Sequence, residues 1–182
     1  MKKIGLLVLA LYYFTGLYAS PAKTDSIPVN PKDVESVDAI VNSLYSVISG
    51  PAGGKRNWDR MRSLFVAEGR LMATGKRRDG SMARSVMTVE DYITASGPLL
   101  ENDGFFEKEI GRIEERFGQI VHLFSSYEAR KKIDDTKPFM RGINSFQLWN
   151  DGQRWLIVTI LWEAETAQNP IPQKYIKAVK QN

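Results

Sequence analysis

The stretch RGINSFQLWNDGQRWLIVTILWEAE, residues 141–165, decides the fold. Asn150-Asp151-Gly152 at its centre is a tight-hairpin signal, and β-branched and aromatic runs flank it on both sides. In the second arm Leu156, Val158, Ile160 and Trp162 are apolar at every second position, so strand periodicity puts them together toward the core. Phe146 and Leu148 match them in the first arm and carry Asn144 to the same side. Trp149 and Trp155 then fall on the other face, where they either pack across the hairpin or serve a dimer surface.

Moving toward the N-terminus, residues 119–130 and 105–117 read as two further strands, so the second half of the chain is an antiparallel meander. Helices come before it. Asp33 is placed to cap a helix whose apolar face is Val34, Val37, Val41, Leu44 and Ile48, ended by Gly50-Pro51. Asn57 caps a second, short helix with Trp58, Met61 and Phe65 on one face. Residues 71–74 and 81–87 read as short strands around the turn at 76–80. Thr88 opens a third helix with Asp91 three positions on, a capping box that accounts for a carboxylate otherwise tempting as a general base. Helices followed by a meander mean α+β: helices packed against one face of a curved antiparallel sheet.

The linker GPAGGKR, residues 50–56, looks superficially like a phosphate loop. Its glycine gap is too short, Lys55 is followed by Arg56 rather than Ser or Thr, and it follows a helix instead of a strand.

A chain of 182 residues, 43% hydrophobic and 25% charged, suits one globular domain. Lys2 and Lys3 ahead of an uncharged apolar run ending at Ala19 read as a secretory signal peptide, shorter than the roughly 20 apolar residues of a membrane span. Loss of residues 1–19 removes two of the 25 basic residues and none of the 21 acids, so the net charge falls from +4 to +2. The expected layout is a signal peptide at 1–19, a disordered leader at 20–32, one domain at 33–166 and a tail at 167–182 whose Ile171, Tyr175 and Ile176 dock on the body. Localisation would be periplasmic or extracellular, with no membrane contact in the mature form. The chain has no cysteine, so the exported domain must form its core without disulfides and carries no lipid at the signal junction. Basic clusters at 76–78 and 130–132 lack interleaved aromatics and match no nucleic-acid motif, so no nucleic-acid partner is expected.

Three segments taken together, SLYSVISGPAGGKRNWDRMRSLF, ERFGQIVHLFSSYEAR and RGINSFQLWNDGQRWLIVTILWEAE, resemble an exported bacterial subgroup of the nuclear transport factor 2-like superfamily. That superfamily has the cystatin-like cone fold and includes SnoaL-like polyketide cyclases and ketosteroid isomerase. The resemblance spans about residues 34–165. It implies a bent sheet around a conical pocket closed by helices, and a homodimer through the outer sheet face. The carboxylate, tyrosine and protonated-acid arrangement of the isomerases does not transfer residue by residue.

One histidine and no cysteine are too few ligands for zinc, no calcium-loop spacing appears, and Ser125 and Ser126 lie mid-strand rather than on a nucleophile turn. No cofactor or metal is therefore expected. The one histidine, His122, shares a strand face with Ile120, Phe124, Ser126 and Glu128, opposite Val121, Leu123, Ser125 and Tyr127. Which face is concave stays open. If His122 faces inward, it lines a pocket with Ser126, Glu128 and Asn144, walled by Trp58, Phe65, Tyr92 and Trp162, and is the candidate acid or base. Otherwise it is a structural residue satisfied by Ser126 and Asn144 or water. Glu109 and Arg112 read as a solvated ion-pair face.

The expected function is an exported protein binding a small, partly apolar molecule in the cone. The alternatives are a lyase, isomerase or cyclase using a pocket acid or base, and a dimeric interaction domain acting through the outer sheet face.

Overall fold

The computed structural model describes residues 27–176. The elements run α1 (Val37–Ile48), α2 (Trp58–Ser63), β1 (Phe65–Lys76), β2 (Met82–Met87), α3 (Val89–Asp103), β3 (Phe106–Phe117), β4 (Ile120–Arg130), β5 (Met140–Asn150) and β6 (Trp155–Ala164). They form one sheet in the order β2-β1-β6-β5-β4-β3. The architecture is the expected α+β arrangement, a curved open sheet with helices against its inner face. The meander β3 to β6 is antiparallel throughout, but β1 lies parallel to β6. The three reversals of the meander return β6 to the direction of β1, whose hairpin with β2 feeds α3 across to the far edge.

The helices follow their caps. Ser36, not Asp33, caps α1, its hydroxyl accepting from Ala39 N at 3.0 Å. Asp33 belongs instead to a one-turn 3-10 helix, Pro31–Asp33, and its buried carboxylate takes Arg60 in a fork at 2.7 and 3.0 Å. A bidentate guanidinium pair outweighs a single cap bond. Val37, Val41, Leu44 and Ile48 are buried as the periodicity requires. Asn57 caps α2, which ends before Phe65; that residue opens β1 rather than extending the helical face. The capping box at α3 is present, Thr88 Oγ1 accepting from Asp91 N and Asp91 Oδ2 accepting from Thr88 N. Asp91 is thereby accounted for.

Two bulges set which residues face inward. In β6 the pairing steps from Gln147↔Thr159 to Leu148↔Ile157, so Val158 is an extra residue. Ile157, not Leu156 or Val158, therefore joins Ile160 in the core, and Trp155 is buried on that side while Trp149 points out. In β3 the pairing steps from Glu109↔Tyr127 to Gly111↔Ser126, leaving Ile110 as the extra residue.

Residues 1–19 and most of the expected leader lie outside the described residues; Val29 packs against the core. No helix among the described residues is long and apolar enough to cross a membrane. In the tail Ile171 is buried and the Tyr175 ring packs on Phe124 with centroids 5.2 Å apart.

The linker 50–56 is held by Arg56, which is 8% exposed. Its guanidinium donates to the carbonyls of Ile48 (3.1 Å), Gly54 (2.6 Å), Gly50 (2.7 Å) and Leu100 (2.9 Å). Gly50 is needed there, since a Cβ would lie 2.5 Å from the Arg56 Nη1 atom. Lysine cannot span four carbonyls, so Arg56→Lys is expected to lower stability by about 2–4 kcal/mol. Urea denaturation reads this directly, and an unchanged midpoint would remove the clamp from the account.

Candidate functional site

His122 points away from the cone. Its Nε2 lies 3.1 Å from Ser145 Oγ, its Nδ1 3.7 Å from Glu115 Oε2, and its ring meets Phe124 edge-on at 6.0 Å. The inner residues of β4 are Val121, Leu123, Ser125, Tyr127 and Ala129, all buried. Ser126 and Glu128 share the outer side with His122. Glu128 is held between Lys108 (3.1 Å) and Arg130 (2.5 Å), and the buried Ser126 hydroxyl bonds to neither the histidine nor a pocket group. The histidine's partner is thus Ser145, in place of Ser126 and Asn144. Trp58 is also outside the pocket, its indole donating to Glu101 Oε1 at 3.1 Å, and Phe65 is core. Of the eight expected residues, Tyr92, Asn144 and Trp162 do come together, as the wall of an inner cavity.

That cavity has a volume of about 250 Å³ and walls that include Leu44, Met61, Leu71, Leu100 and Ile160. It is smaller than the usual drug-sized site. The carboxyl of Glu107 enters it from β3. Burial against the apolar wall pushes this carboxyl up to about 8, although a 3.1 Å hydrogen bond from Asn144 Nδ2 pulls the other way. Tyr92 and Tyr127 add two phenols, both raised by burial and further by the nearby Glu107. Tyr92 is set by the Trp162 ring, edge-on at 6.3 Å and 90°. Tyr127 lies across Gly142, where a Cβ would come within 2.5 Å of its hydroxyl.

Behind Glu107 the polar groups continue. Asn144 Nδ2 also donates to Tyr45 Oη at 3.1 Å, Tyr45 bonds Ser125 Oγ at 2.9 Å, and Ser125 donates to Glu109 Oε1 at 2.6 Å. Glu109 in turn lies 3.3 Å from Arg112 Nε, with side chains only 10% and 6% exposed. The expected solvated ion-pair face is therefore an inner one, covered by α1. The alternation of charges in EKEIGRIEE gave no sign of this, because only the helix overhead distinguishes it from a solvated strand.

No protein-family model matches the chain, and neither does any curated protein. Solved structures do. A Nostoc punctiforme protein of unknown function with a cystatin-like fold superposes with a TM-score of 0.54 at 10% identity, over 72% of this chain and 90% of its own. A cystatin-like protein from Caulobacter vibrioides gives 0.52 at 8% identity, over 74% and 90%. A Mycobacterium tuberculosis protein of unknown function gives 0.52 at 14% identity, over 74% and 73%. The chain has the cystatin-like, nuclear transport factor 2-like cone fold. In this cone the helices cover the inner sheet face, and α1 lies over the part of β3 that carries Glu107.

Because the folded protein holds the Glu107 proton to about 8 while an unfolded carboxyl releases it near 4.5, the native state binds more protons across that window. Its contribution to stability is full below 4.5 and is lost as pH rises toward 8, at most about 1.4 kcal/mol per pH unit. Denaturation against pH should show this decline in the wild type and a flatter curve in Glu107→Gln. Equal slopes would mean an ordinary carboxyl.

Proposed function

We propose that the protein binds a small, mostly apolar molecule in the cone and anchors it through Glu107. The observation that carries this reading is a carboxyl set into a mostly apolar cavity, where burial pushes it up to about 8. A protonated carboxyl is a hydrogen-bond donor, so it favours a neutral ligand bearing a carbonyl or similar acceptor. The size of the cavity limits such a ligand to about one ring. The same reading takes the mature protein as exported, after loss of residues 1–19.

A second reading is supported by the same carboxyl. With its proton lost near 8, Glu107 is poised close to physiological pH, as a general base requires. As a carboxylate it would take a proton from the carbon next to a carbonyl, with Tyr92 or Tyr127 donating to the carbonyl oxygen. This is isomerase- or lyase-type chemistry.

Cyclohex-2-en-1-one, a one-ring carbonyl compound, separates these readings. Binding is expected to quench tryptophan fluorescence saturably and lower the carbonyl stretching frequency, to weaken about tenfold in Glu107→Leu, and to fade as pH rises past about 8. Affinity untouched by Glu107→Leu would sink the anchoring role. In D2O, exchange of the ring protons at the solution rate leaves a binder; protein-accelerated exchange that increases as Glu107 ionises makes it an enzyme.

A further inference from the structure

The polar chain behind Glu107 has a sense. Asn144 spends its amide N–H groups on Glu107 Oε1 and Tyr45 Oη, both at 3.1 Å. Because the Tyr45 oxygen accepts from the amide, its own proton goes to Ser125 Oγ, 2.9 Å away. Ser125 then donates to Glu109 Oε1 at 2.6 Å, and Glu109 ends the chain as an acceptor beside Arg112, which also contacts Asp38 on α1. Tyr45, Ser125 and Asn144 are all buried, so no bulk water competes for these bonds.

A row of hydroxyls can run in either direction. Run backwards, the Tyr45 proton would point at Asn144 and the amide would turn its oxygen toward the pocket. A carboxylate acceptor paired with a guanidinium fixes the forward direction. Burial leaves the Glu109 carboxyl above its ordinary range; the Ser125 hydroxyl and then Arg112 pull it back toward the acceptor form, and Asp38 and Glu114 work against them.

Resting on the reading of Glu107 as the pocket's polar anchor, we propose that Ser125 and Glu109 are positioning residues. Through Tyr45 they orient the Asn144 amide as a donor to Glu107, and so set the pH at which the pocket changes from hydrogen-bond donor to carboxylate. The ionisable and charged groups that share a cavity wall with Glu107 are Asp38 and Tyr45 from α1, Tyr92 from α3, Lys108, Glu109 and Arg112 from its own strand, Tyr127 and Arg130 from β4, and Asp135 from the loop after it. None but the Tyr45–Ser125–Glu109 line reaches the carboxyl through a continuous set of hydrogen bonds among the described residues.

The test is the midpoint of Glu107, followed by carboxyl NMR in protein labelled with ¹³C-glutamate and assigned with Glu107→Gln. Ser125→Ala cuts the chain without changing any charge. The midpoint is expected to rise by about one pH unit, the worth of one lost donor to the carboxylate. Ser125→Cys keeps the volume but bonds weakly, so it should move the midpoint the same way by less, and it stands in if the alanine variant does not fold. A wild-type midpoint near 8 that neither variant moves overturns the positioning chain and leaves the anchor intact. A wild-type midpoint near 4.5 overturns the anchor itself.

Discussion

One buried guanidinium joins the helices over the cone to the start of the strand that carries Glu107. Arg56 ties together the carbonyls that end α1, the linker after it and the last turn of α3. Burying a charge is unfavourable, and desolvation does lower the basicity of Arg56, with Glu101 acting against it. Four oriented carbonyls and the neighbouring carboxylate offset that cost. The clamp reaches further than the helices. Gly50, whose carbonyl Arg56 holds, pairs through both backbone bonds with Phe105, two residues before Glu107, and Ser49 Oγ accepts from Glu107 N at 3.0 Å. The lid and the start of β3 are therefore fixed by the same knot, and the pocket carboxyl is placed by it.

From that placement the chemistry follows. A strand rich in glutamates would ordinarily be wet on both faces. Here α1 and α3 close over one of them, and the bulge at Ile110 turns Glu107, Glu109 and Arg112 to the same inner side. The two carboxyls meet different surroundings. Glu109 has a guanidinium and a hydroxyl, whereas Glu107 has an apolar cavity and one amide. Burial raises both carboxyls, but only Glu109 has a hydroxyl and a guanidinium acting against it, so Glu107 is the stronger proton holder of the two.

Much of the fold was legible because it rests on short-range signals. The Asn150-Asp151-Gly152 turn, the meander, the Thr88–Asp91 capping box and the linker between the first two helices all read correctly from local chemistry. The inward face of β6 did not, because a single extra residue at Val158 shifts the alternation, exchanging Leu156 for Ile157 and turning Trp155 into the core. The site was harder still. Tyr92, Asn144 and Trp162 were found as aromatic or amide groups beside apolar runs. His122 drew notice as the only histidine in the sequence, yet parity left its face open and it proved to lie outside. Glu107 carried no local mark at all, since its burial comes from a helix sixty-odd positions earlier in the chain and from a bulge three residues later.

The central claim is that Glu107 stays protonated in the cone at neutral pH. Infrared difference spectroscopy of wild type against Glu107→Gln tests it most directly. The account predicts a protonated-carboxyl band at neutral pH that disappears with a midpoint of about 8. A carboxylate signal throughout the neutral range, with the proton already lost near 4.5, would contradict it.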